Sequence, residues 1–183
     1  SKNILERIGD YAFMHGGLSP QVDALGLTYD QINAYGKLEM DGGCVSTPCL
    51  TVTGSEGIYW YRGMAEEDLA QTDVDNIIAG FNVKRVIMGH TKDVTARALY
   101  NGRVLAIDMY HMDNYAAGYM EALQFELGCF YIFHTDLTGT NYTPLDTCDA
   151  YVNILEINGK DQLQIFPNPT SEVLNVKLPE DLM

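Results

Sequence analysis

Apolar positions in this chain come in short runs that stop at glycine. Residues 11–14, Tyr-Ala-Phe-Met, form such a run, and His15-Gly16-Gly17 follow at once. That pattern predicts a buried strand ending at the glycines. Residues 84–91, Lys-Arg-Val-Ile-Met-Gly-His-Thr, repeat the plan: a second apolar strand, then glycine and histidine. Between them, residues 19–40 start with Ser-Pro and space Val22, Leu25, Ile32 and Tyr35 at loosely helical intervals. Residues 65–83 predict another helix, acidic at its start and ending near Gly80. The stretch 37–57 lacks periodicity, and from residue 41 it is rich in Gly, Ser, Thr and Cys. It reads as a long loop and a candidate lid.

Strands dominate further on. Asn101-Gly102 is a strong hairpin signal joining 95–100 to 103–108. Residues 119–127 and 129–137 alternate around a Glu-Leu-Gly turn and predict a second hairpin. Thr, Asn, Asp and Pro then take over, so 136–160 reads as a linker or surface extension, and short alternating runs resume over 161–183. The organisation expected is an α/β domain over 1–135, the extension, and a small β tail.

Charge narrows the partners. The 183 residues carry 11 Lys plus Arg against 25 Asp plus Glu, a net charge of −14. Such a surface repels nucleic acid and anionic lipid. No stretch is long and apolar enough for a membrane span. An anionic substrate would need a local cationic centre, which a metal could provide.

Few residues can supply that chemistry. His15 and His90 each end an apolar strand beside glycine, where neutral imidazoles at neighbouring strand tips could ligate one ion. Arg62 lies among aromatics in residues 59–64, Tyr-Trp-Tyr-Arg-Gly-Met, and its planar fork can hold two phosphate oxygens. Asp108 and His111 follow the hairpin and, with Tyr61, could sit behind the site or at its rim. His134, late in a strand, reads as structural. Cys44 and Cys49 are either a local disulfide or two thiols, depending on compartment.

The pieces "GDYAFMHGGLSPQV", "YWYRGM", "KRVIMGHTKD" and "GRVLAIDMYH", in this order, resemble the calcineurin-like metallophosphoesterases, nearest the bacterial-type serine/threonine phosphatases. The resemblance implies a phosphoester hydrolase with two divalent metal ions (Mn, Fe or Zn). It implies His15 and His90 as ligands of one ion, and Arg62 as the phosphate contact. The fold implied is the C-terminal half of a four-layer α/β/β/α sandwich, with an apolar face or edge left open. The family's upstream ligand motifs do not occur here, so the chain by itself is expected to be inactive.

Residues 163–178, "LQIFPNPTSEVLNVKL", resemble the start of the sorting domain of proteins exported by the type IX system of Bacteroidetes. This implies a secreted or cell-surface location, the start of a β-sandwich tail, and a Cys44–Cys49 disulfide. The substrate expected is a phosphoprotein or small phosphomonoester. The alternatives are a nucleotide or dinucleoside polyphosphate hydrolase on the same scaffold, and a non-catalytic surface binding module.

Overall fold

The structure, a computed structural model, describes residues 2–126, 128–136 and 138–145, together with the strands Gln164–Phe166 and Asn175–Lys177. The chain divides into two compact units, Ser1–Cys148 and Asp149–Met183.

In the first unit β1 (Leu5–Ile8) turns at Gly9-Asp10 into β2 (Tyr11–Met14), and Gly9 takes the left-handed φ of 59° that the tight turn requires. Helices α1 (Pro20–Asp23), α2 (Tyr29–Met40), α3 (Thr47–Thr53) and α4 (Gln71–Gly80) follow, then β3 (Arg85–Met88), β4 (Arg97–Leu99) and β5 (Val104–Ala106). The five strands form one mixed sheet in the order β1-β2-β3-β5-β4. β2, β3 and β5 are parallel to one another, while β1 and β4 are antiparallel edges. All four residues of β3 are buried, as expected of a strand covered on both faces.

Alternation along the central strands sorts side chains between two cores. Val86, Met88, Val104 and Ala106 pack with Val22, Ile32, Val52, Val74 and Ile78 from the helices. Ile87 and Leu105 face the other way and pack with Phe130, Leu123 and Leu145. The covering strands are β6 (Tyr119–Glu126), β7 (Cys129–Asp136) and β8 (Gly139–Pro144), a separate antiparallel sheet reached through α5 (His111–Ala116).

These layers correct the expected half of a four-layer α/β/β/α sandwich. The described residues build a five-stranded mixed sheet with helices on one face and a three-stranded sheet on the other. The expected bare apolar face is occupied, because Phe130 closes over Ile87 and Leu105. The first unit also runs past residue 135, since the β-branched and tyrosine residues of β8 pair with β7 from Tyr131↔Pro144 to Asp136↔Gly139. In the second unit β9 (Gln164–Phe166) and β10 (Asn175–Lys177) pair antiparallel, and the rest of the β-sandwich expectation lies outside the described residues.

Local chemistry sets the helix starts. Ser19 accepts from the Val22 N–H ahead of Pro20, and Thr28 with Gln31 forms a reciprocal capping box on α2. α2 also closes the edge of the sheet. Buried Asn33 accepts from the Ile4 and Leu5 N–H groups and donates to the Leu5 carbonyl. That occupies backbone groups that an open edge would offer to another strand. α3 lies inside the expected long loop, where Ser46 and Pro48 mark its start.

Asn33→Ala should lower unfolding free energy by about 1–3 kcal/mol, because it strands buried backbone groups. Leu105→Ala, at a fully buried position, should lower it by about 2–5 kcal/mol. Urea denaturation measures both.

Candidate functional site

The site stands where two parallel strands end together. Met14 pairs with Met88 at the ends of β2 and β3, so the residues that follow emerge at one edge of the sheet. The Gly89 N–H donates to the His15 carbonyl at 3.0 Å and carries the pairing one step further. His15 Nε2 and His90 Nδ1 then meet at 3.0 Å. Neighbouring strands lie about 4.8 Å apart, so only a matched register delivers two rings this close. His90 reaches its place with a φ of 67°, a conformation that costs an L-residue about 1–3 kcal/mol.

The glycines after His15 are required by close approach. A Cβ on Gly16 would lie 2.8 Å from the Ile58 carbonyl oxygen and 2.9 Å from the Trp60 nitrogen, both backbone atoms that cannot swing away. Without that Cβ, the Gly16 N–H donates to Ile58 at 2.7 Å. Ile58 N–H in turn donates to Val52 at the end of α3. The segment 54–62, which carries Trp60 and Arg62, is thereby braced between α3 and the histidine strand.

Electrostatics favours a neutral His90. Its pKa is lowered from the ordinary value of 6.5, first by partial burial, then by the Arg62 guanidinium and by His15, against an opposing pull from Asp108. His90 Nε2 is buried with no hydrogen-bond partner, so one ring nitrogen stays unsatisfied whichever tautomer is present. Such an orphan costs about 1–3 kcal/mol.

Two cavities lie in this region. One, of about 340 Å³, is lined by His15, His90, Asp108 and the ends of β2 and β3. The other, of about 620 Å³, is lined by Trp60, Tyr61, Arg62, Glu56, Glu66 and Asp68. Trp60, on the wall of the second, has its ring 5.4 Å from that of His90 and at 82° to it.

The structure therefore brings together His15, His90 and Asp108, with Arg62 on the adjoining wall. Tyr61 packs partly into the core beside them, and its hydroxyl is pushed up to about 12 by burial and by Glu56, Tyr100 and Asp68. His111 begins α5 on the exposed surface and lines neither of these two cavities. His134 stacks on Tyr119 and faces Glu121 and Asp136 within the three-stranded sheet. Cys44 and Cys49 form a disulfide between the α2–α3 connection and α3. Trp60, the only tryptophan of the chain, was not singled out by the sequence, although an aromatic beside a candidate phosphate arginine was a usable signal.

The fold resembles that of solved phosphatases. A point mutant of a cold-active protein tyrosine phosphatase superposes with a TM-score of 0.65 at 25% identity, over 79% of this chain and 43% of that one. The cold-active protein tyrosine phosphatase of a psychrophilic Shewanella species gives 0.63 at 25% identity, over 79% and 43%. A further cold-active protein tyrosine phosphatase structure gives 0.59 at 26% identity, over 77% and 42%. The chain thus spans less than half the length of these structures. No known family model matches the sequence, and no curated protein sequence matches it.

These results correct three expectations. The similar structures are described as tyrosine phosphatases, so the assignment to calcineurin-like metallophosphoesterases of the serine/threonine branch is set aside. The two-divalent-metal centre is set aside as well: among the described residues no group of three or more His, Cys, Asp or Glu could hold a metal ion. Two imidazoles fall short of the three protein ligands that even an open catalytic zinc site uses. The sorting-domain resemblance and the type IX export it implied find no matching family model, and most of 161–183 lies outside the described residues.

In an NMR titration His90 should titrate below 6.5, and Arg62→Ala should raise its pKa by removing a neighbouring positive charge. A His90 pKa above 6.5, or one unmoved by the substitution, contradicts this account. Gly16→Ala should separate the histidine pair by pushing segment 54–62 away, seen as chemical-shift changes at both imidazoles.

Proposed function

We propose that this chain carries part of the working surface of a phosphatase that hydrolyses phosphomonoesters. The observation that carries the reading is the contact between His15 and His90 at paired strand ends, with Arg62 close enough to depress the His90 pKa. Similarity in fold to solved phosphatases supports it.

Each residue has a role in this reading. Arg62 donates two parallel N–H bonds to phosphate oxygens and supplies fixed positive charge on a protein of net charge −14. The exposed His15 imidazole, held in place by its bond to neutral His90, accepts a proton from the attacking water. The water oxygen bonds to phosphorus, the ester P–O bond breaks, and the leaving oxygen takes up the proton that the imidazole received from the water. Asp108 faces the imidazole pair and steadies the positive charge it gains. Phosphorylated protein is the substrate class favoured, given that the similar structures are tyrosine phosphatases.

A secreted or cell-surface location belongs to the same proposal. It is supported by the Cys44–Cys49 disulfide and by Cys129, which is also disulfide-bonded. Among the described residues no helix is long and apolar enough to cross a membrane.

In the protein that contains this chain, Arg62→Ala, His15→Ala and His90→Ala should each lower kcat/KM for a phosphomonoester by about 10²-fold or more, with folding checked by circular dichroism. Lys92→Ala, at an exposed position, should leave it within twofold. Because the pair works with His90 neutral and the His90 pKa is depressed, kcat/KM should rise with pH through a midpoint below 6.5. Unchanged rates in the three variants would refute the proposal. Thiols that react with an alkylating agent in material from the native source would refute the location.

A further inference from the structure

Trp60 is 54% exposed, although it is a large aromatic side chain next to a well-packed core. It is held in position all the same. Its backbone N–H donates to the Gly57 carbonyl at 3.0 Å, and its backbone lies against Gly16 so tightly that no Cβ fits there. Its ring meets the His90 ring at 82°, an edge-to-face contact that leaves indole surface open. Arg62, two residues on, lines the same cavity of about 620 Å³. A half-exposed indole that lines one cavity with Arg62 and meets the imidazole pair is placed to touch whatever a phosphate held by Arg62 is attached to.

We infer that Trp60 is the specificity-determining residue of the site, a platform that packs against an aromatic ring on the leaving-group side of the phosphate. The inference rests on the phosphatase reading and deepens it: aryl phosphates are preferred over alkyl phosphates, and Trp60 is the cause. A ring stacked on the indole adds attraction that an aliphatic leaving group cannot match, and a tenfold preference is within reach of one aromatic pair. Glu56, Glu66 and Asp68 on the same cavity wall disfavour further negative charge on the substrate beyond the phosphate.

The test has a binding arm and a rate arm. Because Trp60 is the only tryptophan of the chain, its emission reports directly on the platform. Phosphotyrosine added to the 183-residue chain should change that emission, whereas phosphoserine should leave it nearly constant. By calorimetry, Trp60→Leu should weaken phosphotyrosine binding about tenfold and phosphoserine binding less than twofold, and Trp60→Phe should restore most of the loss. In the protein that contains this chain, Trp60→Leu should lower the ratio of kcat/KM for phosphotyrosine over phosphoserine by the same factor.

Equal losses for both compounds, an unchanged ratio, or absence of any phosphotyrosine binding overturns the inference. Trp60-dependent binding without hydrolysis refutes the catalytic reading and upholds this one. Hydrolysis whose aryl preference survives Trp60→Leu does the reverse.

Discussion

The parallel pairing of β2 with β3 is the constraint on which the site depends. Residues 75 apart in sequence become neighbours because the Met14↔Met88 register aligns the two strand ends, and the Gly89 N–H extends the ladder beyond them. A slip of one residue would turn every side chain of β3 to the opposite face. It would move Val86 and Met88 out of the helical core and carry His90 away from His15. Register is secured because both faces of β3 are buried, one under helices and the other under Phe130. The cores on either side of the sheet therefore hold the site geometry, although neither contributes a reacting group.

Much of this was legible in the sequence for a local reason. β2 and β3 are short apolar runs closed by glycine, and Asn101-Gly102 bends where its chemistry requires it, with Asn101 and Gly102 both at positive φ. α4 ends at Gly80, where the helical pattern ends. The convergence of His15 and His90 followed from two equivalent strand ends. What escaped was decided by distant partners. α3 is seven residues long and weakly patterned, and it is held by packing and by the disulfide at Cys49. Asn33 sits in a helix like any polar residue, and only the backbone of β1 reveals its function. β8 was hidden because Thr and Asn are common to loops and to exposed strands.

The chemistry was misread where spacing stood in for donor count. A histidine beside glycine at two strand tips matches a ligand pattern. The structure instead offers a directly bonded imidazole pair under an arginine's field, with too few further donors among the described residues to complete a metal site. The acidic surface had made a cationic centre necessary for any anionic substrate. Arg62 supplies positive charge at a single point, on a cavity wall it shares with Trp60, whose ring meets that of His90.

The left-handed backbone at His90 has an evolutionary consequence. Glycine would adopt that φ of 67° without strain, so the residue most comfortable at this position is one that has no ring to offer. Selection for robustness alone would drift away from histidine here, and its presence marks a position where fold and chemistry pull in opposite directions.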